Sequence, residues 1–298
     1  MQHKPIPRWL SIAILLVIAT VFGGNHIAAR VAIDHGVNVT TAVAARAIGA
    51  ALFVGVLLLV SRVPLALPAA TRWRAVAVGV LIAVQSFCIY SAVARIPVAL
   101  ALLAFNTFPM MFTLISWAAG SERPARRALI AMPVALCGLA LALDVFGRSG
   151  DLAGRWSEIG AGVAYALGAA VSFAAALFLT SRWLKDVDGR LRTLLTMSTV
   201  ALLMLAAGVV AGNLALPQNP GGWLGLGLLM LFYGTAFTAL FVLLPRLDAL
   251  NNSAALNFEP ISVLFLAWPI LGQSVAPLQV VGALIVVGAV IALGSAKH

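Results

Sequence analysis

The sequence predicts an all-α membrane protein of ten transmembrane helices, built as two inverted five-helix repeats with both termini cytoplasmic. Three observations predict it. The chain of 298 residues is 62% apolar and only 9% charged, with a mean hydropathy of +1.06. Its apolar residues gather into long continuous runs. Its two halves match each other at a fixed spacing.

A soluble domain of average composition carries roughly a quarter charged residues, so most of this chain must face lipid or other apolar helices. A helix needs ~20 mostly apolar residues to cross a hydrocarbon core of ~30 Å. Such runs lie at about 9–29, 40–60, 75–94, 98–119, 127–146, 159–181, 193–214, 223–244, 252–271 and 277–295. The breaks carry turn and loop residues: Asp34-His35-Gly36, Pro64 to Pro68, Glu122-Arg123-Pro124, Gly147 to Gly154, Lys185 to Arg190, Pro217 to Gly222. The runs are continuous rather than alternating with period two, which argues against a barrel. The first run follows Lys4 and Arg8 as in a signal peptide. Its length, and its counterpart in the second half, predict an uncleaved helix.

A net charge of +10 first reads as a nucleic-acid signal. Location decides otherwise. With the N-terminus cytoplasmic, fourteen of the 19 Lys and Arg fall in inside loops and termini. Only Arg30, Arg95, Arg148 and Arg155 fall outside, and Arg46 lies within a helix. The positive-inside rule then places both termini in the cytoplasm. The expected partners are the lipid bilayer and a small-molecule substrate, with no nucleic acid; the sequence leaves the oligomeric state open. Cys88 and Cys137 fall inside runs and read as small apolar core residues rather than a disulfide.

Sliding the chain by 151 positions places Arg95 on Arg246, Ala104 on Ala255, Asn106 on Asn257, Pro109 on Pro260 and Trp117 on Trp268. The expected repeats are 1–148 and 149–298. Five helices is an odd number, so the second repeat inserts upside down. Inverted repeats are a common plan for secondary transporters, with the substrate between the halves near mid-membrane. Pro109 and Pro260 each remove a backbone donor and are expected to kink their helices, which makes them candidate hinges. Asn106 and Asn257 bracket the midplane by helix rise. They either bind substrate or tie helices together.

Ionisable groups inside the bilayer are costly, so each is a candidate site. His26, Arg46 and Glu259 qualify. Glu259 could bind an amino group, carry a proton, or serve as a structural acceptor. Arg46 could clamp a carboxylate or snorkel to the outer interface. His26, beside Asn25, could bind substrate or pack a helix. Gln85, Tyr90, Tyr165, Ser172, Tyr233 and Thr235 are polar groups near mid-helix that could line a weakly polar cavity. Phe87, Phe105, Phe108, Phe237 and Phe258 could wall a pocket for an apolar or aromatic amino acid, or face lipid. Ala164, Gly168, Ser172 and Ala176 form a small-residue stripe that lets two helices approach. Trp117 and Trp268 near helix ends read as interfacial anchors.

No Walker-type phosphate loop is present, which argues against ATP-driven transport by this chain. Of His3, His26, His35 and His298, only His26 is in a helix, and no metal-ligand spacing occurs. No metal, cofactor or enzymatic activity is expected. A phosphorylated ligand wants several cations, and Arg46 is the single Arg or Lys deep within a run.

Three stretches carry a family resemblance. They are Phe22-Gly23-Gly24-Asn25-His26-Ile27-Ala28-Ala29-Arg30; Tyr90-Ser91-Ala92 with Ala99 to Pro109 and Gly120-Ser121-Glu122; and Glu259-Pro260 with Leu271-Gly272-Gln273 and Gln279 to Gly288. Together they resemble the drug/metabolite transporter superfamily, in its ten-helix, EamA-type members. The family often has Leu-Gly-Glu after helices 4 and 9; here those sites read Gly120-Ser121-Glu122 and Leu271-Gly272-Gln273. The resemblance implies export or exchange of small metabolites across the bacterial inner membrane. It also implies a central cavity lined by helices 1–4 and 6–9, with 5 and 10 peripheral. Within the family it points to aromatic and neutral amino-acid exporters of the YddG type. The alternatives are an exporter of other metabolites or drugs, or a channel-like facilitator.

Overall fold

A computed structural model describes residues 7–62, 66–120, 126–142, 152–243, 258–273 and 276–294. Among these residues there are helices and no strand. In chain order they are α1 (Arg8–Asp34), α2 (Val39–Ser61), α3 (Ala69–Val93), α4 (Val98–Phe105), α5 (Phe108–Ala118), α6 (Arg126–Ala142), α7 (Leu152–Trp183), α8 (Gly189–Val210), α9 (Pro220–Leu243), α10 (Glu259–Leu271) and α11 (Pro277–Gly294). Among the described residues seven spans are long and apolar enough to cross a membrane, with α4 and α5 together making one of them. α6, α10 and α11 hold shorter apolar stretches, each inside an expected run. Cys88 and Cys137 are free thiols.

Local chemistry sets the ends. The Asn38 side chain accepts from Thr41 N at 2.8 Å and starts α2, satisfying one of the free N–H groups of a first turn. Asp188 does the same for α8, accepting from Arg190 N at 2.8 Å. Gly272 closes α10 at φ 64°, a left-handed cap that a side chain would strain.

The proline elements differ from expectation. Pro109 does not sit inside a continuous helix but is the second residue of α5, and Pro260 is likewise the second residue of α10; the chain before Phe258 lies outside the described residues. Proline's missing N–H is no loss in a first turn, where that donor has no intrahelical partner. The run at 98–119 therefore breaks at Asn106-Thr107. There the Asn106 amide donates to Leu102 O and the Thr107 hydroxyl to Ala104 O, at 2.8 and 2.7 Å. Arg246, Ala255 and Asn257 lie outside the described residues.

Packing is mainly between the two halves. α1 packs on α9, α2 on α8, α3 on α7, α4 on α10 and α6 on α11. Counting α4 and α5 as one unit, this pairing scheme is unchanged when the halves are exchanged, as a twofold-related pair of repeats requires. Small residues set the close approaches, the usual means of packing helices where lipid supplies no hydrophobic drive. A Cβ on Gly79 would fall 2.6 Å from Thr199 Cβ, and one on Gly225 would fall 2.6 Å from Ala32 N. On α7 the stripe is only half buried: Ser172 and Ala176 face inward while Ala164 and Gly168 are exposed. Ser172 donates to Leu81 O at 2.8 Å, so it ties α7 to α3. Large apolar side chains such as Leu59, Val60, Val210 and Phe265 point outward. That is the pattern of a bundle whose outer surface meets hydrocarbon.

Candidate functional site

A cavity of about 250 Å³ lies at the centre of the inter-half packing. It is lined by Phe22 and His26 of α1, Arg46 of α2, Gln85 of α3 and Phe105 of α4. Asn106 and Phe108 come from the α4–α5 break, Phe173 from α7, Tyr233 and Phe237 from α9, and Glu259 from α10. The positions of these helix ends matter here. Ending one helix and starting another at Asn106-Thr107, and starting α10 at Glu259, brings side chains from helix ends to the middle of the bundle. Among the described residues, α6, α8 and α11 contribute nothing to this lining. That matches the expected periphery except for α8, expected to line the cavity, which instead packs on α2 and α3.

Arg46 does not snorkel. It is 3% exposed, because α2 begins at Val39 and its seventh residue beyond that faces α3 and α9 rather than the membrane surface. The guanidinium lies 4.2 Å from the Tyr233 ring centroid and 5.2 Å from that of Tyr90. Nη2 donates to Ser86 Oγ, which donates in turn to Gln85 Oε1 at 3.2 Å. Arg46 Nε is buried with no acceptor in reach. Among the described residues no carboxylate lies within 4.0 Å of the guanidinium. A buried cation held by rings and one hydroxyl, with no carboxylate partner among the described residues, has the chemistry to accept an anion, since guanidinium forks match carboxylates.

Glu259 opens α10 and meets His26 instead: His26 Nε2 to Glu259 Oε1 is 3.3 Å. The His26 ring rests 5.6 Å from the Tyr90 ring, and its Nδ1 is buried without a partner. A hydrogen on Nε2 has the Glu259 carboxylate as acceptor, whereas one on Nδ1 would have none. Tyr233 stacks on Arg46 and is within electrostatic reach of Glu259. Among the described residues the cavity thus carries one arginine and one acid that do not pair with each other.

Two aromatic groups complete the wall. Phe22, Tyr233 and Phe237 pack with centroid distances of 6.0, 5.3 and 4.7 Å. Phe105, Phe108 and Phe173 pack at 5.4, 5.4 and 4.9 Å. Such faces accept apolar or aromatic groups.

The structure therefore brings His26, Arg46, Gln85, Asn106, Tyr233 and Glu259 to one cavity. Asn25 and Tyr90 stand behind it: Asn25 Nδ2 donates to Tyr90 Oη at 3.0 Å, which fixes the ring beneath Arg46. Tyr165 is elsewhere, 4.7 Å under the Arg95 guanidinium and edge-on to Phe87. Its helix α7 turns Phe173, not Tyr165, toward the cavity. Asn257 lies outside the described residues. Sequence reasoning missed Phe22, Ser86 and Phe173. Phe22 was findable, four residues before His26 on the same helical face.

A sequence profile of the EamA-like transporter family matches residues 9–143 and again 160–295, once for each half. No protein of curated function matches the sequence. A solved structure, described as "Crystal structure of protein", superimposes with a TM-score of 0.65 at 18% identity, over 97% of this chain and 98% of that one. At that identity the likeness carries the fold alone. The double match across both halves decides the family: this chain is a membrane transporter belonging to the EamA-like transporter family.

Proposed function

We propose that the chain is a secondary transporter that exports or exchanges neutral amino acids with apolar or aromatic side chains, by alternating access across the bacterial inner membrane. In this reading the ten runs are ten spans, the halves are inverted, and both termini are cytoplasmic. One observation carries the substrate class. Arg46 from the first half and Glu259 from the second line the same small, ring-walled cavity without pairing to each other. A zwitterion supplies one group for each: a carboxylate for Arg46, an ammonium for Glu259. Its side chain is left among the phenylalanines.

Size supports the same class. Sites for drug-sized ligands run ~300–1,000 Å³, and this cavity of about 250 Å³ is smaller. A single buried cation also fits one carboxylate better than a phosphate, which wants several. Alternating access is supported by the pairing scheme, which exchanging the halves leaves unchanged.

The test is flux in proteoliposomes containing only this protein. Saturable movement of labelled leucine and phenylalanine, with mutual competition and stimulation by unlabelled substrate on the far side, supports a carrier of this class. Flux that does not saturate points to a channel-like facilitator. Absence of amino-acid flux from folded protein moves the assignment to other metabolites or drugs.

A further inference from the structure

We propose that His26 is a placeholder for the substrate's ammonium group, and that it makes the carrier exchange substrate for substrate instead of releasing it net. This rests on the zwitterion reading above and adds the rule by which the empty carrier is held.

The His26–Glu259 contact differs from the other ion pairs among the described residues. Arg30–Asp34 is local to α1, and Arg190–Asp188 is local to the start of α8. His26–Glu259 joins the first half of the chain to the second, and does so on the cavity wall. Each partner is fixed to its own half. The His26 ring leans on Tyr90, which Asn25 holds. Glu259 sits in the first turn of α10, where Ser262 Oγ donates to its carbonyl at 2.7 Å.

Any motion that parts the halves must draw His26 from Glu259. The cavity is walled largely by phenylalanines, and its polar members Arg46, Gln85 and Asn106 already hold hydrogen-bond partners, so the separated groups have few free groups to replace each other. An uncompensated buried charge or donor is costly. A substrate changes this balance. Its ammonium offers Glu259 three N–H donors in place of the single Nε2–H of His26, while its carboxylate pairs with the guanidinium of Arg46 on the same cavity wall. The tie between halves then runs through the substrate. Every charge stays partnered as the loaded carrier changes state, whereas the empty carrier must break the histidine contact first. Exchange is therefore fast and net release slow.

The experiment compares two efflux rates from proteoliposomes loaded with labelled phenylalanine: into buffer alone, and into buffer holding unlabelled phenylalanine. For the wild-type protein the second exceeds the first by about tenfold or more, the effect of one charge-assisted hydrogen bond on a barrier. His26→Asn is too short to reach Glu259, so net efflux rises and the ratio falls toward one. His26→Gln places an amide nitrogen near the Nε2 position and keeps a high ratio. A second readout uses the unaltered protein. 3-Phenylpropanoate, phenylalanine without its ammonium, competes for the cavity through Arg46 but leaves the histidine contact closed and is not itself exchanged. The proposal is overturned by a wild-type ratio near one, by His26→Asn exchanging with the wild-type ratio, or by 3-phenylpropanoate crossing as fast as phenylalanine. A wild-type protein with no saturable amino-acid flux overturns the substrate reading as well, and the two failures are thereby distinguished.

Discussion

The Arg46 guanidinium of α2 lies 4.2 Å from the centroid of the Tyr233 ring of α9, a cation from one half stacked on an aromatic face from the other. The ring contact holds the guanidinium on the cavity wall, where no carboxylate among the described residues pairs with it. Lysine keeps the charge but loses both the flat stack and the fork. Arg46→Lys is expected to raise KM for phenylalanine exchange on the order of tenfold, and Arg46→Gln on the order of a hundredfold, the range of a charged hydrogen bond. The check is specificity. Inhibition by phenethylamine, which has no carboxylate, should change far less than phenylalanine transport. An equal loss for both compounds would show that Arg46 shapes the cavity without binding the carboxylate.

Most of the fold was legible because hydrophobic run length and repeat spacing report membrane helices directly. The intramembrane ionisable residues were legible for the same reason: hydrocarbon makes each conspicuous. What one sequence could not give was rotation about each helix axis. Tyr165 and Phe173 are both aromatic and both near the middle of α7, yet only Phe173 faces the cavity. The same ambiguity made Arg46 readable as snorkelling. Its burial depends on Tyr233 of a distant helix, which no local pattern announces. Pro109 and Pro260 were read as kinks because a proline within a long apolar run signals one. The observed restart depends on the turn at Asn106-Thr107 and on where α10 begins.

Packing between α1 and α9 offers a sharp contrast between two glycines one turn apart or less. A Cβ on Gly225 would meet Ala32 N at 2.6 Å and Ala32 Cα at 2.8 Å, backbone atoms that cannot swing aside. A Cβ on Gly227 meets nothing within 4 Å. Gly225→Ala is expected to force the helices apart and lower stability by about 1–3 kcal/mol. Gly227→Ala is expected to be neutral or slightly stabilising, by up to about 1 kcal/mol. Thermal unfolding in detergent measures both. Equal melting temperatures would mean that the α1–α9 approach is not tight.

Asp188 predicts a pH dependence outside the membrane. The side-chain hydrogen bond from Arg190 holds its carboxyl below the ordinary value. A depressed folded value means that the stabilisation is present above about pH 4 and fades as the pH falls through the lower folded value. Asp188→Ala also removes the cap of α8, at about 1 kcal/mol. Asp188→Asn keeps the acceptor for Arg190 N and loses the ion pair, worth less than about 1 kcal/mol at an exposed site. Melting temperatures at neutral and acid pH should therefore converge for wild type and Asp188→Asn as the pH drops. A constant gap across that range rules out the carboxylate as its origin.

Gln273 stands where the family resemblance leads one to expect glutamate, and its partner shows how an amide serves there. Pro97 gives α4 no side-chain cap, and Gln273 Oε1, from the other half of the chain, accepts from Val98 N at 3.1 Å. The left-handed turn at Gly272 aims it there, with Gln273 N closing on Ala267 O at 3.2 Å. What the position demands is an acceptor at the N-terminus of a helix, and charge is optional. Gln273→Glu is expected to keep the contact and hold or raise the melting temperature, since an anion at a helix N-terminus contributes about 0.3–1 kcal/mol. Gln273→Leu leaves the Val98 N–H unsatisfied and costs about 1–3 kcal/mol. The comparison is made by thermal unfolding and by exchange rate on the same preparations. If Gln273→Glu fails as badly as Gln273→Leu, the side chain works through its amide donor, and the cross-half cap of α4 is not what holds the two halves together at this end.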